Sequence, residues 1–122
     1  MTKYKSQGLS KTFKNARKGM SLAIKSEQNI RIHLFAGSFV MMLGVVCGFS
    51  ILRLCMLLFA IALVVVAEMF NSAIEFSLDA VFHNKYSKLV GMAKDISAGA
   101  VMFATMIAVI IGILLFGSAL FL

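Results

Sequence analysis

Three long apolar stretches, set apart by short polar ones, dominate this chain. Ile32 to Leu52 passes without an Asp, Glu, Lys or Arg, Leu54 to Ala67 is unbroken apolar sequence, and Ile96 to Leu122 carries no charge. At 1.5 Å per residue a helix over 32–52 covers about 31 Å, close to the roughly 30 Å hydrocarbon core of a bilayer. The 54–67 run is too short to cross, so the second span is predicted over 54–78 and must carry Glu68 with it. The third, 96–122, reaches about 40 Å as a helix and is expected to tilt or protrude. Ahead of these spans, Phe13, Ala16, Met20, Ala23 and Ile24 recur at helical spacing among Lys11, Lys14, Lys18 and Lys25. That pattern predicts an amphipathic surface helix over 10–28 with Ser10 as N-cap, preceded by a flexible tail over 1–9. The fold class expected is an all-α membrane protein, one surface helix and three transmembrane helices forming a single domain over 1–122.

Composition agrees with lipid as the main solvent. Hydrophobic residues make up 61% of the chain, with nine Met, eleven Phe, and neither Trp nor Pro. A mean hydropathy of +0.95 lies far outside the range of a soluble globular domain. No cleavable leader is expected, because the first apolar run begins after residue 31 and is too long for one. Cys47 and Cys55 lie in or beside apolar runs without metal-ligand spacing and read as small membrane-embedded side chains.

Charge sets the orientation. The formal net charge is +7, and the segment 1–31 carries it all, with eight Lys or Arg against the single Glu27. Beyond it, Lys85, Lys88 and Lys94 cluster between the second and third spans, while Arg53 stands alone at the opposite end. The positive-inside rule places the N-terminus inside and the C-terminus outside. The basic arm suits anionic lipid headgroups; no stacking aromatics or binding motif accompany it, so nucleic acid is not expected as a partner. Ala100, Ala104, Ala108 and Gly112 form a small-residue stripe suited to close helix approach, and Gly44 with Gly48 makes one GxxxG.

The acidic residues carry the candidate chemistry. At about 100° per residue, Glu68, Asn71, Ser72, Glu75 and Asp79 share one helix face. Measured from Arg53, Glu68 falls about 8 Å short of the inner boundary, and Glu75 and Asp79 lie at or beyond it. An ionisable group at such depth costs upward of about 2.5 kcal/mol and marks function by default. The predicted topology brings Glu27 and Asp95 to the same interface, so all five acids converge there. His33 and His83 are isolated and read as interfacial or loop residues. The residues alone leave open proton-coupled transport, metal binding, and acid/base catalysis on a lipid. No phosphate loop or soluble-kinase signature chooses among them.

Taken together, "EMFNSAIE" (68–75) and "GMAKDISAGAVM" (91–102) resemble the prokaryotic diacylglycerol kinases, small integral-membrane lipid kinases that include undecaprenol kinases. The resemblance covers nearly the whole chain. It implies ATP-dependent phosphorylation of a lipid hydroxyl at the inner leaflet by a homotrimer with shared active sites. By motif position, Glu68 would be the catalytic carboxylate, supported by Asn71. Glu27 and Glu75 would hold Mg²⁺, and Lys94, Asp95 and Tyr86 would contact nucleotide. "EQNIRIH" (27–33) and "AKDISAGAV" (93–101) look more like the undecaprenol kinase branch. The diacylglycerol branch usually has an acidic residue where His33 stands and an aromatic where Asn15 stands. Undecaprenol is therefore the substrate expected first and diacylglycerol second, with Arg31 meeting the lipid or its phosphate. Readings from other classes are a small proton-coupled transporter using Glu68 and a membrane scaffold.

Overall fold

The computed structural model describes residues 8–122, so the tail expected over 1–9 lies almost wholly outside the described residues. Four helices follow: α1 (Leu9–Ser26), α2 (Gln28–Val46), α3 (Ile51–Phe82) and α4 (Lys88–Phe121). The last three are long and apolar enough to cross a membrane. Gly8, not Ser10, stands at the N-cap of α1, and its carbonyl accepts from Thr12 N at 3.0 Å. Nothing in α1 is buried within the chain, and Leu9, Phe13 and Met20 are exposed. An unburied apolar stripe on a basic helix fits an element lying at an interface.

Glu27 alone separates α1 from α2. Its backbone is extended (φ −115°, ψ 110°), it ends one helix by donating its N–H to the Ala23 carbonyl, and it begins the next. Arg31 Nη1 reaches back to the carbonyls of Ile24 and Lys25, 2.8 Å from each, and so satisfies the open C-terminus of α1. Ile30, the most deeply buried side chain, anchors the bend.

The span boundaries differ from those expected. α2 stops at Val46, short of Leu52, because Gly48 takes a left-handed turn (φ 76°) and Ser50 caps α3, accepting from Arg53 N at 3.3 Å. Arg53 thus sits in the first turn of α3, its guanidinium 6.0 Å from the Phe49 ring. The GxxxG therefore does not act as one helix-packing motif. Gly48 makes the turn, while Gly44 is buried where a Cβ would meet Phe49 and Leu54 at 3.1 and 3.3 Å. A small core of Phe49, Leu57 and Leu115 closes this end, with Phe116 4.7 Å from Phe49 between ring centres.

At the other end, α3 continues past Leu78 to Phe82, and α4 begins at Lys88, ahead of the expected Ile96. His83 and Asn84 take left-handed conformations, and Ser87 caps α4 by accepting from Val90 N at 3.2 Å. The stretch 79–94 looked like a connection because of its lysines; its apolar Leu89, Val90 and Met92 instead continue a helix. Only His83–Ser87 is loop. At 32 and 34 residues, α3 and α4 are about 48 and 51 Å long, well beyond the roughly 30 Å they must cross. They are antiparallel neighbours, joined at the end where their polar residues lie.

α3 is the central helix, packed against both α2 and α4. It packs tightly on α2 at Gly37, where an added Cβ would lie 2.5 Å from Ile61 Cγ2. Gly37→Ala is accordingly expected to destabilise by about 1–3 kcal/mol through overpacking. Gly19→Ala, in open space, is expected to be neutral or stabilising. Thermal unfolding of both in detergent checks this.

Candidate active site

α3 supplies most of the polar groups. Glu68 and Ser72, four residues apart, are buried, with 4% and 5% of their surface exposed. Across from Glu68 stands His33 of α2, its Nε2 3.5 Å from Glu68 Oε1. Ser72 Oγ is buried without a hydrogen-bond partner. Two further pairs join α3 to α4. Asn71 Oδ1 accepts from Ser97 Oγ at 2.5 Å, and Asp79 Oδ1 accepts from Lys94 Nζ at 2.7 Å. Ser97 is itself buried. The one polar face read from the sequence thus meets both neighbouring helices, Glu68 facing α2 while Asp79, at nearly the same azimuth, is reached by the long Lys94 side chain of α4.

Those pairs fix which ends meet. His33 near the start of α2, Glu68 to Asp79 late in α3, and Lys94 to Ser97 early in α4 all lie at one end of the bundle. The expected convergence of acids holds at that level. Among the described residues, however, no three His, Cys, Asp or Glu side chains gather as a metal cluster. Glu75 is half-buried and near enough for its charge to act on Lys94. Glu27 is half-buried at the α1–α2 bend, and neither it nor Glu75 has an ion pair among the described residues. Magnesium takes one or two carboxylates and fills its remaining positions with water and phosphate, and each of these two side chains is a donor of that type.

The other anticipated residues are placed less distinctively. Asp95 is exposed on α4. Tyr86 is exposed in the loop and lies over Gly91, where an added Cβ would come within 3.0 Å of its ring. Arg31 is committed through Nη1 to the end of α1, so its observed contact is with backbone at the bend. Asp79, placed by the sequence at or beyond the inner boundary, is bonded to Lys94, with each side chain a little over one-third exposed. A pair this exposed does little to hold helices together, which leaves the ammonium easy to recruit by a stronger anion.

Sequence reasoning missed His33, Ser97 and Asp79 as partners. A signal for the first existed: in an antiparallel hairpin, a residue at the start of one span and a residue near the end of the next share a depth. Ser97 was hidden among the small residues of α4, where a hydroxyl is indistinguishable from packing.

Residues 14–116 match the sequence profile of a family described as prokaryotic diacylglycerol kinase. The chain belongs to that family. Among its relatives is a diacylglycerol kinase of Synechocystis, 34% identical over 101 residues that make up 83% of this chain and 58% of the relative. An undecaprenol kinase of Bacillus subtilis is 32% identical over 106 residues, 87% of this chain and 85% of the relative. The chain therefore spans little more than half of the Synechocystis kinase and most of the Bacillus one. The matches lend no support to a proton-coupled transporter.

Proposed function

We propose that this protein is a membrane lipid kinase that transfers the terminal phosphoryl group of ATP to a lipid hydroxyl at the cytoplasmic face of a bacterial plasma membrane. The observation that carries this reading is Glu68, a carboxylate buried at membrane depth, beside a cluster of polar groups at the same end of the bundle. A lipid alcohol is confined to that depth, and a soluble phosphate donor reaches only the end of the bundle. Family membership supports the same reading.

In this reading Glu68 orients the lipid hydroxyl and accepts its proton as the new oxygen–phosphorus bond forms. The bond to the donor's bridging oxygen breaks with its electron pair leaving on the nucleoside diphosphate. Asn71, held by Ser97, fixes the polar wall beside Glu68. Lys94 moves from Asp79 to the phosphates, and Asp95 and Tyr86 border the nucleotide. Glu27 and Glu75 would hold Mg²⁺, which when bound would neutralise phosphate charge. Arg31 keeps the bend that places Glu27 and lies at the level where a lipid phosphate would form. The exposed apolar faces of α2, α3 and α4 suit a homo-oligomer, a trimer by family resemblance, and the basic α1 suits anionic headgroups.

Undecaprenol is the substrate we put first, on "EQNIRIH" with its His33; diacylglycerol is the second, on the Synechocystis relative. Purified protein in bilayers with Mg-ATP, offered each lipid separately, tests both levels. Phosphorylation of undecaprenol over diacylglycerol is expected. The reverse order would change the substrate, and no transfer to either would end the kinase reading.

A further inference from the structure

Glu68 has one charged or chargeable partner within ion-pair reach among the described residues, the imidazole of His33. We propose that His33 is the positioning residue of Glu68, holding its carboxylate in the orientation in which it meets the lipid hydroxyl. This rests on the kinase reading and goes beyond it, since His33 enters that reading only through the choice of lipid and is given no role in the transfer.

Three features support the assignment. First, a carboxylate with 6% of its side chain exposed has few ways to be held; without a partner it swings among rotamers or draws in water. Second, along the groove that His33 lines, the imidazole has one rival partner, the Thr105 hydroxyl. Its ring heads an apolar groove walled by Gly37, Val64, Thr105 and Val109, and the Thr105 hydroxyl is bound to the Val101 carbonyl. Third, the approach of the two helices is fixed one turn away, where Gly37 admits Ile61. That contact sets the spacing across which imidazole and carboxylate face each other. With 28% of its side chain exposed against 6% for Glu68, the imidazole is the more accessible member of the pair.

The test separates position from bulk. His33→Gln places an amide nitrogen near the Nε2 position, whereas His33→Asn reaches only the Nδ1 position. His33→Ala is expected to lower kcat about tenfold to a hundredfold, the penalty of a misplaced catalytic group, with the nucleotide KM little changed. His33→Gln is expected to recover much of that loss and His33→Asn little of it. Wild-type kcat in His33→Ala, or equal losses in all three variants, would overturn the proposal. A second readout needs no turnover. The chain has two histidines, so nitrogen-15 labelling gives two imidazole signals in bilayer samples, and His83→Asn assigns them. Glu68→Gln is expected to move the His33 signal and leave that of His83; an unmoved His33 signal also overturns the proposal. Were the wild type inactive on every lipid, the kinase reading would fall and the resonance alone would decide the pairing.

Discussion

Glu68→Gln is expected to remove about a hundredfold to ten-thousandfold of lipid phosphorylation, the range that a lost general base represents. The substitution keeps shape and volume and deletes only charge and basicity. Because Glu68 is 4% exposed at membrane depth, its ionised form is costly to bury, upward of about 2.5 kcal/mol before any partner offsets it. The neutral amide escapes that cost. Activity and stability should therefore move apart: turnover collapses while the thermal midpoint in detergent holds or rises, and membrane insertion and oligomer size stay as in the wild type. A parallel assay of phosphate incorporation and unfolding decides it. Full turnover in Glu68→Gln would remove this residue from the chemistry, and a misassembled variant would mean that the carboxylate builds the fold.

Lys94→Met is expected to cost about a hundredfold to a thousandfold in kcat/KM for nucleotide, comparable to deleting one preorganised group that stabilises developing charge. The aliphatic stem is kept and the ammonium is lost. Asp79→Asn supplies the contrast, since it loosens the 2.7 Å contact yet leaves the ammonium in place. Its loss should be far smaller. Equal losses in the two variants would assign the pair to holding α3 against α4 instead of to phosphate. Initial rates over a range of Mg-ATP concentrations distinguish these outcomes.

Much of this architecture was legible because bilayer thickness constrains apolar runs so strongly. Three spans and a basic amphipathic helix followed from length and charge alone. Boundaries were less legible, and for a physical reason: charge density marks where a chain meets water, not where its helix ends. Lys88 and Lys94 made the start of α4 look like loop, yet a helix projecting from the bilayer is free to carry lysines. The break at Gly48 was hidden inside an apolar run, where one left-handed glycine leaves no trace in hydropathy. At the site, helical periodicity placed Glu68, Asn71, Glu75 and Asp79 on one side of α3 correctly. It could not divide them between partners, because that depends on where two other helices pack.

Glu27 is half-buried and is also the only non-helical residue between α1 and α2. A joint of one residue has no slack. Any rocking of the surface helix, whether from crowded headgroups or a thinner leaflet, turns the very carboxylate proposed to grip the metal. On the proposed reading, movement of the surface helix would reach the metal-holding carboxylate with no intervening linker to absorb it.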